Sequence, residues 1–187
     1  MIKLLSISVF LSLLLPSAVA YAQTFSVCHG YDCYYKTKTT LTSKDELRIR
    51  NLLQKASRSA GDERKALRKA IAIYEERGAT VIGVRDKPKM QFGKARIKGQ
   101  MDCVDESINT DSFLRYLQAR GWLKHHMPAR RMTRGSFIDG RYPHWTAVIM
   151  DKSGQSWAVD SWYEAGGGAP DIMPLQEWKR RGYGGER

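Results

Sequence analysis

Residues 144–162 read as two short runs of alternating apolar and polar side chains joined by Lys152-Ser153-Gly154. A three-residue connection with glycine in the left-handed position is a common hairpin type, and it fixes the pairing. Asp151 then faces Gln155, paired positions sum to 306, Thr146 lies opposite Asp160, and His144 lies opposite Trp162. His144 and Asp160 become diagonal neighbours on one face, about 7–8 Å apart at the backbone, close enough for a carboxylate to hold one imidazole nitrogen. A two- or four-residue loop with regular pairing would reverse the parity and separate them. The opposite face carries Trp145, Ala147, Ile149, Trp157 and Val159, a set suited to burial.

A helix is expected from Cys103 to Gly121, because Cys103, Ser107, Thr110, Leu114 and Leu117 recur at steps of three and four. The thiol shares the apolar stripe and so faces the body of the protein. Upstream, Ser43-Lys-Asp-Glu46 reads as a capping box that opens a helix to about residue 57. A second helix is expected over about 62–77, with Leu67, Ala70, Ile71 and Tyr74 on its buried face and Gly78 as its stop. Residues 80–84 suggest a strand, 85–100 a basic loop, 129–132 a strand, 166–168 a glycine-rich loop and about 174–181 a closing helix.

Residues 1–22 have the form of a secretory signal: Lys3, an apolar run over 4–15 broken by Pro16, then Ala20-Tyr21-Ala22 before Gln23. The run is too short to span a bilayer, and no later stretch approaches about 20 apolar residues. The expected location is periplasmic or secreted, with cleavage near Ala22. Residues 23–187 are then read as a single domain with a basic helical part (23–98) and a catalytic core (99–187). An oxidising compartment favours disulfides, and Cys28 and Cys33 in Cys-His-Gly-Tyr-Asp-Cys are close enough for a glycine-containing turn to join them. A zinc site built on Cys28, His29 and Cys33 is the alternative, but a second ligand pair at standard spacing is missing. Either way Cys103 is left over, as a reactive thiol or an intermolecular link.

The net charge of +12 is unevenly placed. Residues 36–98 hold 18 Lys/Arg against 7 Asp/Glu, whereas 99–187 hold 12 against 11. A cationic half of this kind attracts anionic envelope components, with an effect that fades in salt. No nucleic-acid motif accompanies it, so nucleic acid is not an expected partner.

Cysteine catalysis needs a nucleophile, a base and an orienter for the base. Cys103, His144 and Asp160 supply one of each. A helix N-terminus favours a thiolate by only ~0.3–1 kcal/mol, while Asp102, Asp105 and Glu106 oppose it, so the thiol depends on an imidazole partner. Gly99-Gln-Met-Asp-Cys103-Val-Asp-Glu, Pro143-His144-Trp-Thr-Ala-Val and Trp157-Ala-Val-Asp160-Ser-Trp resemble the transglutaminase-like cysteine protease superfamily, in particular the bacterial transglutaminase-like cysteine proteinases of the periplasm. The resemblance spans about residues 97–165. It implies an α+β papain-like core, a cysteine-bearing helix packed on an antiparallel sheet, with Cys103 as nucleophile, His144 as base and Asp160 as orienter. The acidic residues beside Cys103 only partly match the family's calcium positions, so neither metal nor cofactor is carried over. The basic N-terminal helices have no assigned counterpart. The backbone N–H of Cys103 is the expected oxyanion donor, ahead of the Gln100 side chain.

These observations together predict a hydrolase or acyltransferase acting on an amide of a protein or peptide substrate. The competing expectation is a non-catalytic envelope-binding protein that uses the same fold and its basic face, with Arg64, Lys65, Arg68 and Lys69 as contacts.

Overall fold

The computed structural model describes residues 23–89, 91 and 93–182; the expected signal segment lies outside the described residues. Among the described residues the architecture is α+β, with two antiparallel sheets and four α-helices. Strands β1 (Thr24–His29) and β2 (Tyr35–Thr40) form a two-stranded sheet. Helices α1 (Ser43–Lys55), α2 (Ala60–Ile82) and α3 (Cys103–Ala119) follow. A four-stranded sheet of β3 (His126–Arg134), β4 (His144–Asp151), β5 (Ser156–Asp160) and β6 (Asp171–Pro174) comes next, with strands in chain order. Helix α4 (Leu175–Arg180) ends the described chain. No helix of the described residues is long and apolar enough to cross a membrane.

Local chemistry accounts for the helix limits, and it corrects three expectations. The α1 capping box is displaced by one residue. Thr42 is the N-cap, its hydroxyl accepting from the Asp45 N–H at 3.1 Å while the Asp45 carboxylate accepts from the Thr42 N–H at 3.1 Å. Both Thr42 and Ser43 can cap, and Asp45 sits at the third helical position only when Thr42 does. Helix α2 does not stop at Gly78. An internal glycine costs about 1 kcal/mol relative to alanine, but nothing breaks the helical bonding there, and a Cβ at Gly78 would meet only Val27 at 3.8 Å. The terminator is Gly83, left-handed at φ +81°, whose N–H donates to the Ala79 carbonyl at 2.9 Å. Residues 80–82, expected to form a strand, are therefore the last turn of α2. The strand expected over 129–132 is the middle of the longer β3, which carries an irregularity between Ala129 and Met132.

The main core lies between the helices and one face of the larger sheet. Ile49 and Leu53 of α1, Leu67 and Ile71 of α2, and Phe113, Leu114 and Leu117 of α3 are fully buried in it with Ala147 and Ile149 of β4 and Val159 of β5. Each of the Ile, Leu, Phe and Val side chains in this set contributes about 1.5–3 kcal/mol on burial, which holds α3 against the sheet. The other face packs Val148 and Ala158 against Leu175 and Trp178, drawing α4 onto β5. A buried Glu63 ties α2 to β3 by accepting from the backbone N–H groups of Lys124, His125 and His126 and from the His126 ring.

Candidate active site

The β4–β5 hairpin positions the histidine and the aspartate. Ala147 pairs with Val159, Val148 with Ala158, Ile149 with Trp157 and Met150 with Ser156. Gly154 is left-handed at φ +86°, and the Asp151 N–H donates to the Gln155 carbonyl at 2.9 Å. The three-residue loop thus gives the register that its residues require, and His144 and Asp160 meet. His144 Nε2 lies 2.8 Å from Asp160 Oδ2, with both side chains buried. A carboxylate only accepts, so this contact places the proton on Nε2 and leaves Nδ1 as the basic nitrogen. Nδ1 is buried and has no hydrogen-bond partner.

The Asp160 carboxylate is itself held in place. Trp178 Nε1 donates to the same Oδ2 at 2.7 Å, and the Trp162 backbone N–H donates to Oδ1 at 3.3 Å. Aromatic rings enclose the imidazole: Trp162 at 4.5 Å, Trp178 at 5.7 Å and Tyr163 at 5.8 Å between centroids. Arg134 lies over the Trp178 ring at 4.4 Å and donates to the Trp178 carbonyl, which holds the tryptophan in place. Local sequence pattern gave no warning of Trp178 or Arg134, because both reach the site by tertiary packing.

Cys103 is the first residue of α3. The Asp102 carboxylate caps that helix, accepting from the Val104 N–H at 3.1 Å and the Asp105 N–H at 2.9 Å. The disulfide Cys28–Cys33 lies beside this end. Residues Tyr31, Asp32 and Cys33 are all left-handed, and this turns their N–H groups towards the helix. Tyr31 and Cys33 donate to Asp105, and Asp32 donates to Asp102. The zinc alternative is not realised. Both thiols are consumed in the disulfide, and His29 bonds Thr37 through one ring nitrogen and Gly99 through the other. Gln100 is buried, and its backbone carbonyl accepts from the Gly30 N–H at 2.6 Å.

Cys103 is 5 % exposed, and its thiol lies against the backbone on both sides of His144. It donates to the Pro143 carbonyl at 3.9 Å and is approached by the Trp145 N–H. It makes no hydrogen bond to Nδ1 in this arrangement. Burial pushes the thiol up to about 12, and the Asp102 and Asp160 charges add to the effect, so Cys103 rests as a thiol. An open cleft of about 270 Å³ reaches it, lined by Asp102, Cys103, Val104, Tyr142, Pro143, Trp145 and Trp162. Trp162, which lines this cleft, holds a second buried atom without a partner, its Nε1. The Trp162 ring packs 4.5 Å from that of His144, and each of the two residues carries a buried polar atom without a partner. No family model, curated protein or solved structure matches this chain.

Proposed function

We propose that the protein is an exported cysteine hydrolase or acyltransferase that cleaves an amide bond through Cys103, His144 and Asp160. The observation that carries this reading is the buried His144–Asp160 pair, whose free Nδ1 sits on the residue between the two backbone groups that touch Cys103 Sγ. The order of a cysteine at a helix start, a histidine on the following strand and an aspartate on the next is also the layout of the transglutaminase-like superfamily. A papain-like core of that kind is our reading of the α3–β4–β5 unit.

The chemistry follows from the proton positions. As the substrate carbonyl enters the cleft, Nδ1 takes the thiol proton and the sulfur attacks the carbonyl carbon. The resulting oxyanion lies near the Cys103 backbone N–H, which has no intrahelical acceptor at the start of a helix, and within reach of the Trp162 indole N–H as a second donor. The imidazolium gives its proton to the departing amine nitrogen, leaving a thioester on Cys103. Water, or a second amine, then loses a proton to Nδ1 and attacks the thioester, and the thiolate leaves and is reprotonated. Asp160 stabilises the imidazolium in both halves of the cycle.

The test uses p-nitrophenyl acetate as an acyl donor, followed by mass spectrometry of the intact chain. An acetyl group on Cys103 that forms and is then lost, and that does not form in His144→Ala, supports the reading. A chain that is never acetylated at Cys103, or that is acetylated equally without His144, rules it out.

A further inference from the structure

The surface opposite in character to the aromatic cleft lies between α1 and α2. Two adjoining hollows of about 400 and 440 Å³ share Leu52, Lys55 and Lys69, so they form one continuous trough. Its walls carry Arg48, Lys55, Arg58, Lys65 and Lys69, all exposed, against the single carboxylate of Asp62. Among the described residues only Lys65 of these five is in an ion pair, with Asp62 at 3.7 Å. The floor is apolar: Leu52, Ala56, Ala66 and Ile73. Uncompensated cations on both walls of an apolar floor raise the local concentration of anions that also carry apolar groups.

The shape narrows the class of anion. A flat bilayer meets convex or planar surfaces, and this surface is concave. Sugars stack on aromatic rings, and no aromatic side chain lines the trough among the described residues. A peptide with Asp/Glu side chains for the walls and occasional Leu or Val for the floor meets both features. The α1 helix has 13 residues, hence a length of about 20 Å, which matches roughly six residues of extended chain. We propose that the α1–α2 trough is a docking site for an acidic, extended peptide segment of a partner protein. This site is separate from Cys103 and stands whether or not the thiol is catalytic.

The experiment is fluorescence anisotropy with the full chain carrying Cys103→Ala, so that turnover cannot enter. The probe is a labelled nine-residue peptide with six carboxylates and two leucines. The trough variant is Lys55→Glu with Lys69→Glu. Its control is Lys36→Glu with Lys38→Glu, an equal charge change at exposed β2 positions outside the trough. We expect the trough variant to weaken binding at least about tenfold and the control to change it less than about twofold, with affinity falling as salt rises. Equal loss in both variants would reduce the site to bulk charge and overturn the proposal. Tighter binding of phosphatidylglycerol vesicles or heparin, abolished by the same trough reversal, would overturn it in favour of a lipid or a polysaccharide. Concentration-dependent self-association lost in the trough variant would assign the surface to a second copy of the chain instead.

Discussion

The side of α3 that faces α2 sets up a pH dependence opposite to that of an ordinary basic protein. Glu75, Asp86 and Glu106 line an enclosed cavity of about 20 Å³, room for roughly one water. No ion pair neutralises any of the three among the described residues. Burial raises each, and neighbouring carboxylates add to it: Glu75 to about 8 with Asp86 and Glu164 nearby, Asp86 to about 7 with Asp105 and Asp102 nearby, and Glu106 well above the carboxylate range with Glu75 and Asp86 nearby. A group raised on folding contributes stability that is fully present below its unfolded value and lost as pH rises through its folded value. For Asp86, 5 % exposed, the shift from 3.8 to about 7 is roughly three pH units, or about 4 kcal/mol. Because Glu75 and Glu106 each interact with Asp86's charge and Glu106 also with that of Glu75, the shifts are not summed. For a chain of this size 1 kcal/mol moves the melting temperature by about 2–4 °C, so the fall expected as pH rises from about 4 to about 7 is roughly 10 °C, with no further loss from Asp86 above that. Bulk charge works the other way, since raising pH relieves the repulsion of a +12 chain. The two terms therefore predict opposite signs. The assay is thermal unfolding followed by circular dichroism at fixed ionic strength, alongside Asp86→Asn, whose amide oxygen can keep the 2.8 Å bond from the Met101 N–H. A melting temperature that is flat or rising over this window, or an unchanged slope in the variant, would mean that these buried acids do not set the pH dependence.

The same sequence supports three narrower expectations. Asp160→Asn removes the acceptor shared by His144 and Trp178 and should slow esterolysis on the order of 10³–10⁴-fold, because the imidazole loses its tautomer-fixing partner. Trp162→Phe keeps the ring beside His144 but deletes the indole donor. Esterolysis should fall on the order of 10²-fold while alkylation of Cys103, which develops no oxyanion, stays within a few-fold; equal loss in both assays would assign Trp162 to packing. Replacing Cys28 and Cys33 by serine frees the loop whose N–H groups hold Asp105 and Asp102, and should cost about 2 kcal/mol of stability, read as a melting temperature lowered by roughly 4–8 °C.

How far the sequence carried depended on whether the signal was local. The Lys-Ser-Gly connection specified the β4–β5 register, and with it the contact between His144 and Asp160. The spacing of Cys103, Ser107, Thr110, Leu114 and Leu117 marked a face of α3 that is buried at all five positions. Strand β2 escaped notice because only Thr39 of its six residues is buried, which leaves no apolar alternation to read. Strand β6, four half-buried residues ending in proline, gave equally little. Gly78 misled because a glycine within a helix and a glycine after one look alike until the packing partner, here Val27, is known. In the site, the meeting of Cys103 with the start of β4 and the Trp178 bond to Asp160 join segments distant in sequence, so neither had a periodic signature. The three acids beside the α3 face are scattered over α2, the following loop and α3, and only folding gathers them.

The central claim is that His144 activates Cys103. The most direct measurement is the rate of Cys103 alkylation by iodoacetamide across pH 5–9, in the unaltered chain and in His144→Ala. With a thiol pushed up to about 12 by burial, the histidine carries the reactivity. Below about pH 8 the variant should react on the order of 10²-fold more slowly, and its rate should recover only as the solution becomes alkaline. Equal rates and equal pH profiles in the two proteins would mean that the imidazole does not act on the thiol, and that Cys103 and His144 do not form a nucleophile–base pair.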